Sequence, residues 1–324
     1  MKIENKKLGS GQKTYIIAEV AQAHDGSLGL AHSYIDAAAD AGADAIKFQT
    51  HIAEEESSKG EPFRINFSYE DSSRFEYWKR MEFKESQWAG LIEHAKDRGI
   101  TFLSSPFSIA AVDMLSRLGV KAWKVGSGEV FNPIILEAMR ATKLPVLLSS
   151  GLSSEEDIQV LCNTFEDYPS GWGLFQCTTM YPTPLENVGL NILENYRLMG
   201  VPVVGLSDHS GTVYPSLAAI SKGVDIIEVH VNFDKRMFGP DSSSSLTFDQ
   251  LELLVKHAQA VQLMNEHPVD KIELALKLAN VKSMFGKSLV LKQGIGENES
   301  ITIDDLDAKK PCDGISVEVY KEVL

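Results

Sequence analysis

Ionisable side chains recur at the ends of short apolar segments in this sequence. The segment GLSDHSG ends one such run at His209, and the segment EVHV ends the next at His230. Two histidines beside a carboxylate, with positions left open, suit Mn²⁺, Fe²⁺, Co²⁺ or Zn²⁺ better than Mg²⁺ or Ca²⁺. The pattern therefore predicts a divalent metal held by His209 and His230. Asp208 either orients His209 by a hydrogen bond, without binding the metal itself, or caps the following turn.

A second set of strand-end residues suits an anion. Lys47 lies in IKFQTH and Lys124 in WKVGSGE, and lysines among hydroxyls and glycine-rich backbone favour a phosphate or a carboxylate. A serine after a strand more often caps a helix. Unpaired charges inside a barrel are costly, however, so their convergence indicates a ligand, a metal or mutual pairing. The other polar residues at these ends are Glu19, Gln49, Ser105, Ser127, Glu129, Ser149, Thr179, Tyr181, Ser207 and Glu228.

Eight apolar segments alternate with amphipathic stretches from residue 14 onward. They are TYIIAE (14–19), ADAIKF (43–48), ITFLSS (100–105), KAWKVG (121–126), PVLLSS (145–150), WGLFQC (172–177), VPVVGL (201–206) and VDIIEV (224–229). This alternation predicts parallel βαβ units, and eight strands close an α/β (β/α)8 TIM barrel with its active site at the C-terminal strand ends. A doubly wound sheet is the competing fold, but no glycine-rich dinucleotide turn follows the first strand.

The sequence predicts two domains of unequal size. Residues 1–283 form the barrel domain, with an N-terminal cap at 1–13 and a long lid-like loop at 50–84. Five aromatic residues between positions 67 and 78 predict that this loop is packed. Residues 284–324 lose the helical period and form a small β-rich unit with its linker. A unit of this size is near the lower limit for independent folding.

Composition excludes several classes of partner and location. The formal net charge of −14 argues against broad nucleic-acid or anionic membrane surfaces. Three cysteines without metal-type spacing indicate a reducing compartment. Neither a signal peptide nor a membrane span is visible, so we expect a cytoplasmic protein.

Eight motifs give the chain a resemblance to a known family. In order, they are AEVAQAHDGSLGLA, IKFQTH, SSPFS, WKVGSGE, YPTP, GLSDHSG, EVHV and GPD. Their order and spacing resemble the sialic acid synthase family, with its legionaminic and pseudaminic acid synthases and spore-coat polysaccharide homologues. The resemblance implies condensation of phosphoenolpyruvate with an amino-sugar aldehyde. It also implies a TIM barrel followed by an antifreeze-like (SAF) β domain, which is exchanged across a homodimer.

The resemblance also implies a set of site residues. It assigns Lys47, Ser105, Lys124, Ser127, Ser149, Thr179 and Ser207 to phosphoenolpyruvate, and Gln49, Tyr181, Asp241 and Lys310 to the sugar. It assigns His209 and His230 to a metal, typically Mn²⁺, with Mg²⁺ or Co²⁺ as alternatives. Glu19, Lys124, Glu129, His209 and His230 are the implied catalytic residues. Either Glu19 or Glu129 stabilises the developing cation or directs water, and the sequence does not choose between them.

The chain departs from the family pattern at several positions. Ala21 and Ala23 replace an expected Gly and Asn, and Thr179 replaces an Asn. Lys310 in KKPCDGI stands where the family has an arginine that reaches the partner's sugar, and lysine lacks the planar fork of arginine. Sequence after Leu324 would be needed for the remaining strands of the small domain, so the sequence predicts an incomplete antifreeze-like domain.

Two other functions fit parts of this pattern. One is a deoxy-octulosonate or deoxy-heptulosonate type of synthase, which also condenses phosphoenolpyruvate with an aldehyde. Such an enzyme accepts phosphorylated sugars and should show a further Arg/Lys cluster for the second phosphate. The other is a catalytically weakened homologue that binds sugar, which Lys310 and the short C-terminal unit favour.

Overall fold

The N-terminus forms a hairpin beneath the barrel. The computed structural model describes residues 1–63 and 65–324. Strands β1 (Lys2–Ile3) and β2 (Lys6–Lys7) pair antiparallel. Ile3 and Leu8 are buried in one apolar cluster with the inward-facing residues at the N-terminal ends of the barrel strands. The hairpin therefore covers the end of the barrel opposite the strand ends that carry polar residues.

Eight parallel strands form a closed barrel. They are β3 (Tyr15–Ala21), β4 (Ala45–Thr50), β5 (Thr101–Pro106), β6 (Trp123–Val125), β7 (Val146–Ser149), β8 (Trp172–Cys177), β9 (Val204–Asp208) and β10 (Ile226–His230). Each strand pairs with the next, and β10 closes the barrel on β3. Every predicted segment contributes one strand, so the predicted TIM barrel is confirmed.

Helices surround the barrel. They are α1 (Leu28–Asp40), α2 (Ala53–Glu56), α3 (Arg74–Met81), α4 (Glu85–Asp97), α5 (Ile109–Leu118), α6 (Pro133–Ala141), α7 (Glu155–Phe165), α8 (Ile192–Leu198), α9 (Tyr214–Ser221) and α10 (Phe248–Glu266). The side chains of Ser27, Ser108 and Ser154 accept N–H groups from the first turns of α1, α5 and α7, and so fix where these helices begin. Within the described residues, no helix is long and apolar enough to cross a membrane.

The barrel interior changes from apolar to polar along its strands. Its apolar layer comprises Tyr15, Ile17, Ala45, Leu103, Ala122, Leu147, Phe175, Val203 and Ile226. Side chains alternate between the two faces of a strand, so residues two positions further on also face inward. These residues include Glu19 beyond Ile17, Lys47 beyond Ala45 and Glu228 beyond Ile226. The strand register therefore places the polar residues in one layer at the C-terminal end.

The loop between β4 and α4 is packed, as its aromatic residues predict. Ala53, Tyr77, Trp78 and Met81 form a buried cluster, against which Phe63, Phe67 and Phe75 pack. Arg80 on α3 ties this loop to its surroundings, because its guanidinium lies 2.6 Å from Asp25 and 2.8 Å from Asp71. Arg64, within the predicted lid, lies outside the described residues.

The chain divides into two compact units, Met1–Met264 and Asn265–Leu324. The second unit contains α11 (Lys271–Lys277), α12 (Ala279–Phe285), β11 (Ser288–Leu291), β12 (Leu306–Lys309) and α13 (Tyr320–Val323), with β11 and β12 antiparallel. The division precedes the predicted boundary after residue 283. The reason is that α12 bonds to the later chain: Cys312 N donates to Ser283 O, and Ser283 Oγ donates to Cys312 O, each at 3.0 Å.

Candidate active site

Two lysines share one carboxylate in the polar layer of the barrel. Lys47 Nζ lies 2.8 Å from Glu19 Oε2 and 3.6 Å from Glu228 Oε2. Lys124 Nζ lies 3.3 Å from the other oxygen of Glu228. Gln49 Nε2 donates to Glu19 Oε1 at 3.2 Å. These contacts join side chains from β3, β4, β6 and β10 in one buried network, and we call Glu228 the shared carboxylate.

Hydroxyl groups surround the same two lysines. Lys47 Nζ donates to Ser105 Oγ at 3.3 Å, and Lys124 Nζ donates to Ser149 Oγ. Ser207 Oγ donates to the shared carboxylate at 3.1 Å. Ammonium and hydroxyl donors converging on one point can bind a phosphate or carboxylate through charge-assisted hydrogen bonds.

The two carboxyl groups of this network differ in acidity. Burial raises the pKa of Glu19 above its ordinary value, although Lys47 opposes this effect. Burial acts in the same direction on Glu228, but Lys124 and Lys47 outweigh it and hold the pKa of Glu228 below its usual range. The shared carboxylate is therefore the ionised partner of both lysines, while Glu19 takes up a proton more readily.

His209 is held in one tautomer by the backbone of the loop after β8. Its Nδ1 lies 2.9 Å from the carbonyl oxygen of Thr178, which can only accept, so Nδ1 carries the proton. The lone pair of Nε2 is then left for another partner, and the Tyr181 hydroxyl lies 3.4 Å from it. Tyr181 also stacks on His209 with ring centroids 4.3 Å apart.

The donor properties of His209 and His230 fit a divalent metal. Their ring centroids are 5.3 Å apart. Burial lowers the pKa of both, and His209 lowers that of His230 further, so both rings are neutral and able to act as ligands. His230 Nδ1 is buried without a hydrogen-bond partner, and Asp241 Oδ2 lies 3.8 Å from it. Among the described residues no group of three or more His, Cys, Asp or Glu forms a metal site.

Gly151 allows three side chains to approach its backbone closely. A Cβ at Gly151 would lie 2.5 Å from Thr179 Oγ1, 2.8 Å from Ser127 Oγ and 2.9 Å from Cys177 Sγ. Gly151 N donates to Ser127 Oγ at 3.1 Å. We call these four residues the Gly151 cradle. Since any larger side chain would displace its members, the cradle requires glycine at this position.

Other residues that the sequence singled out have separate contacts. Glu129 Oε2 accepts a hydrogen bond from Asn132 Nδ2 at 2.8 Å, at the start of α6. Lys310 belongs to the second compact unit, where its Nζ lies 5.0 Å from the centroid of the Phe285 ring. Asp208 accepts from Ser210 N at 2.9 Å, which resolves its two predicted roles in favour of capping the turn.

Sequence reasoning gave no role to three groups that the structure brings into the site. Glu228 carried a signal, because it lies two positions from His230 and so shares its inward face. His51 carried the same signal, because it lies two positions after Gln49, and its Nε2 is 3.3 Å from Gln49 Oε1. The Thr178 carbonyl carried no signal, since every residue has one.

Comparisons with known proteins show which family the chain belongs to. The NeuB family pattern matches residues 34–269. A Campylobacter jejuni N,N'-diacetyllegionaminic acid synthase is 34% identical over 97% of this chain and 95% of its own length. A pseudaminic acid synthase from the same species is 30% identical over 97% of this chain and 92% of its own. A crystal structure of N-acetylneuraminic acid synthetase from Leptospira borgpetersenii matches with a TM-score of 0.75 and 27% identity, covering 88% of this chain and 96% of that one. With its barrel, its polar layer and these matches, the chain belongs to the NeuB family of synthases.

Proposed function

We propose that this protein condenses phosphoenolpyruvate with the open-chain aldehyde of an N-acetylated amino sugar, N-acetylmannosamine or a related hexose. The products are a nine-carbon 2-keto sugar acid and phosphate. The observation that carries this proposal is the pairing of two buried lysines with one carboxylate, beside two neutral histidines at the same end of the barrel. The first group suits the anionic substrate and the second suits the metal.

Phosphoenolpyruvate would bind among the lysines and the Gly151 cradle. Its phosphate and carboxylate need cationic and hydroxyl donors, which Lys47, Lys124, Ser105, Ser149 and Ser207 provide. The ammonium groups already balance the shared carboxylate, so the substrate would compete with Glu228 for them. The cradle adds the hydroxyls of Ser127 and Thr179, which the glycine allows to lie close together.

The histidine pair would hold a divalent metal, for which we propose Mn²⁺. His209 offers the lone pair of Nε2, and His230 has a buried nitrogen without a partner. When bound, the ion supplies Lewis acidity that polarises the aldehyde oxygen of the sugar. Tyr181 stacks on His209 and Asp241 Oδ2 lies 3.8 Å from His230 Nδ1, and we assign both residues to contacts with the sugar.

The reaction forms one carbon–carbon bond and breaks one carbon–oxygen bond. Carbon 3 of phosphoenolpyruvate attacks the aldehyde carbon, and the aldehyde oxygen becomes a hydroxyl by taking a proton. Water adds at carbon 2, which carries the developing positive charge, and phosphate leaves with cleavage of the carbon 2–oxygen bond as the ketone forms. The two protons of this water pass to the former aldehyde oxygen and to the departing phosphate. We assign the water's proton to Glu19, whose raised pKa suits a general base, since Glu129 is bonded to Asn132. The lysines offset the negative charge throughout.

The family resemblance implies a role for the C-terminal unit, and the sequence composition favours the cytoplasm. We propose a cytoplasmic homodimer in which this antifreeze-like unit serves the sugar site of the partner through Lys310. Light scattering during size-exclusion chromatography tests the dimer directly. A monomer that turns over at the full rate would contradict the exchange.

Phosphate release from phosphoenolpyruvate tests the proposed activity. The acceptors are N-acetylmannosamine, diacetamido-trideoxy hexoses and phosphorylated aldoses, each with Mn²⁺ and with EDTA. Turnover of an amino sugar with Mn²⁺, and its loss with EDTA, is the expected result. Turnover restricted to phosphorylated aldoses would instead favour a deoxy-octulosonate or deoxy-heptulosonate synthase. Tight sugar binding without turnover would favour the weakened homologue.

A further inference from the structure

His51 lies at the centre of an aromatic stack next to Gln49 of the site. It follows β4 and is only 4% exposed. Its ring lies between Trp78 of α3, with centroids 3.8 Å apart, and Phe107, with centroids 4.5 Å apart. The interplanar angles are 9° and 6°, so the three rings are nearly parallel. This stack fixes the plane of the imidazole and shields it from water.

Both ring nitrogens of His51 face groups that accept hydrogen bonds. Nδ1 lies 2.5 Å from Glu56 Oε1, and Nε2 lies 3.3 Å from Gln49 Oε1. A carboxylate can only accept, so Nδ1 donates to Glu56, and Nε2 faces the Gln49 amide. Glu56 is itself fixed, because its second oxygen accepts from Ile52 N at 3.3 Å.

This arrangement holds the Gln49 amide on both sides. Its oxygen faces His51 Nε2, and its nitrogen donates to Glu19 Oε1 at 3.2 Å. Reversing the amide would set its oxygen against the Glu19 carboxyl. Gln22 Nε2 also donates to Gln49 Oε1, at 3.4 Å. His51, itself held by Glu56 and by the aromatic stack, therefore supports the contact that keeps Gln49 on Glu19.

We propose that His51 and Glu56 are positioning residues that hold Gln49, and through it Glu19, in the orientation needed for the acceptor sugar. Neither residue touches the reacting atoms. The inference rests on the proposed function, in which Glu19 accepts the proton of water, and on the contact of Gln49 with the sugar that the family resemblance implies. It gives the packed loop between β4 and α4 a role in orienting the site.

Two substitutions at His51 separate positioning from packing. His51→Phe keeps the aromatic stack but removes both ring nitrogens. His51→Gln loses the stack but keeps an amide that can bond to Gln49. We expect His51→Phe to raise the acceptor KM about tenfold, the effect of one misdirected buried hydrogen bond, and to leave the KM for phosphoenolpyruvate within about twofold. His51→Gln should recover most of the acceptor KM. Glu61→Gln, in the same loop with a side chain 31% exposed, is the matched control and should behave as wild type.

The opposite ranking would overturn the proposal, because a purely structural role makes His51→Phe the milder change. A second measurement needs no substrate. In protein labelled with ¹⁵N-histidine, the His51 resonances, identified by their loss in His51→Phe, should show a proton on Nδ1, which faces Glu56. An unprotonated Nδ1 would refute the inference. If the wild type turns over no acceptor, the proposed function fails, and the nitrogen spectrum still tests the contact between His51 and Glu56.

Discussion

The shared carboxylate offers the sharpest test of the site, through the substitution Glu228→Gln. Glutamine keeps the shape of the side chain and an oxygen for the Ser207 hydroxyl, but it removes the charge that both lysines face. In the free protein, Lys124 would then lose its one acidic partner among the ion pairs of the described residues, at 3.3 Å. Lys47 would lose a contact of 3.6 Å but keep Glu19 at 2.8 Å.

The magnitude follows from these distances. At an effective dielectric constant of about 20, unit charges 3.3 to 3.6 Å apart attract by about 5 kcal/mol before solvation is counted. Breaking a buried pair from one side costs about 3–5 kcal/mol in practice, because the remaining charge stays buried. Since Lys47 retains Glu19, we expect the free energy of unfolding to fall by about 3 kcal/mol, the lower end of that range.

Urea denaturation with and without phosphoenolpyruvate measures the effect. The variant should be less stable than wild type alone, yet gain more from saturating phosphoenolpyruvate, because the ligand then replaces the missing anion. Glu252→Gln, which removes an exposed pair with Lys256 on α10, is the control and should change stability by less than about 0.5 kcal/mol. Equal stability of Glu228→Gln and wild type, or an equal gain from phosphoenolpyruvate, would refute the charge balance described here.

Three further predictions concern the anion site and a buried histidine. Lys124→Met should raise the KM for phosphoenolpyruvate at least tenfold, since it removes a charge-assisted donor, and an unchanged KM in phosphate-release assays would exclude Lys124 from the anion site. Gly151→Ala should also raise that KM about tenfold with a loss of stability of about 1–3 kcal/mol, because the new methyl group would displace Ser127 and Thr179. Gly90→Ala, which meets open space inside α4, should leave the KM unchanged and raise stability by up to about 1 kcal/mol. Burial lowers the pKa of His24 to about 3. Its neutral form therefore stabilises the fold above the ordinary histidine pKa of about 6.5, and this contribution is lost as the pH falls towards 3. His24→Phe should flatten the decline of the urea midpoint between pH 7 and about 4, and an unchanged slope would contradict this assignment.

The polar layer was predictable because side chains alternate regularly between the two faces of a strand. Buried parallel strands appear in the sequence as continuous apolar runs, so their ends are marked by the first polar residues. Once Ile17 and Ala45 face inward, Glu19 and Lys47 must do so as well. The same rule applies to Glu228, whose central place could have been inferred from Ile226. Its pairing with both lysines could not, because contacts across a closed barrel depend on strand tilt and stagger.

This alternation ends where each strand ends, and for residues beyond that point the sequence left the direction of the side chain open. Glu129 lies four positions after Val125, the last residue of β6, within a turn that directs it to Asn132. The segments that became α11 and α12 have a helical period, but periodicity does not show which unit a helix joins. Ser283 and Cys312 decide that through contacts between residues far apart in sequence.

The same limit explains His209, which lies one position beyond β9. The loop after β8 holds it at three points: the Thr178 carbonyl accepts from Nδ1, Thr183 N donates to His209 O at 2.9 Å, and the Tyr181 ring stacks on the imidazole. A shift of this loop would change the tautomer of His209 together with the position of Tyr181. The residue proposed to hold the metal and the residue proposed to contact the sugar therefore depend on one backbone segment. The YPTP motif is best understood as the structure that couples them.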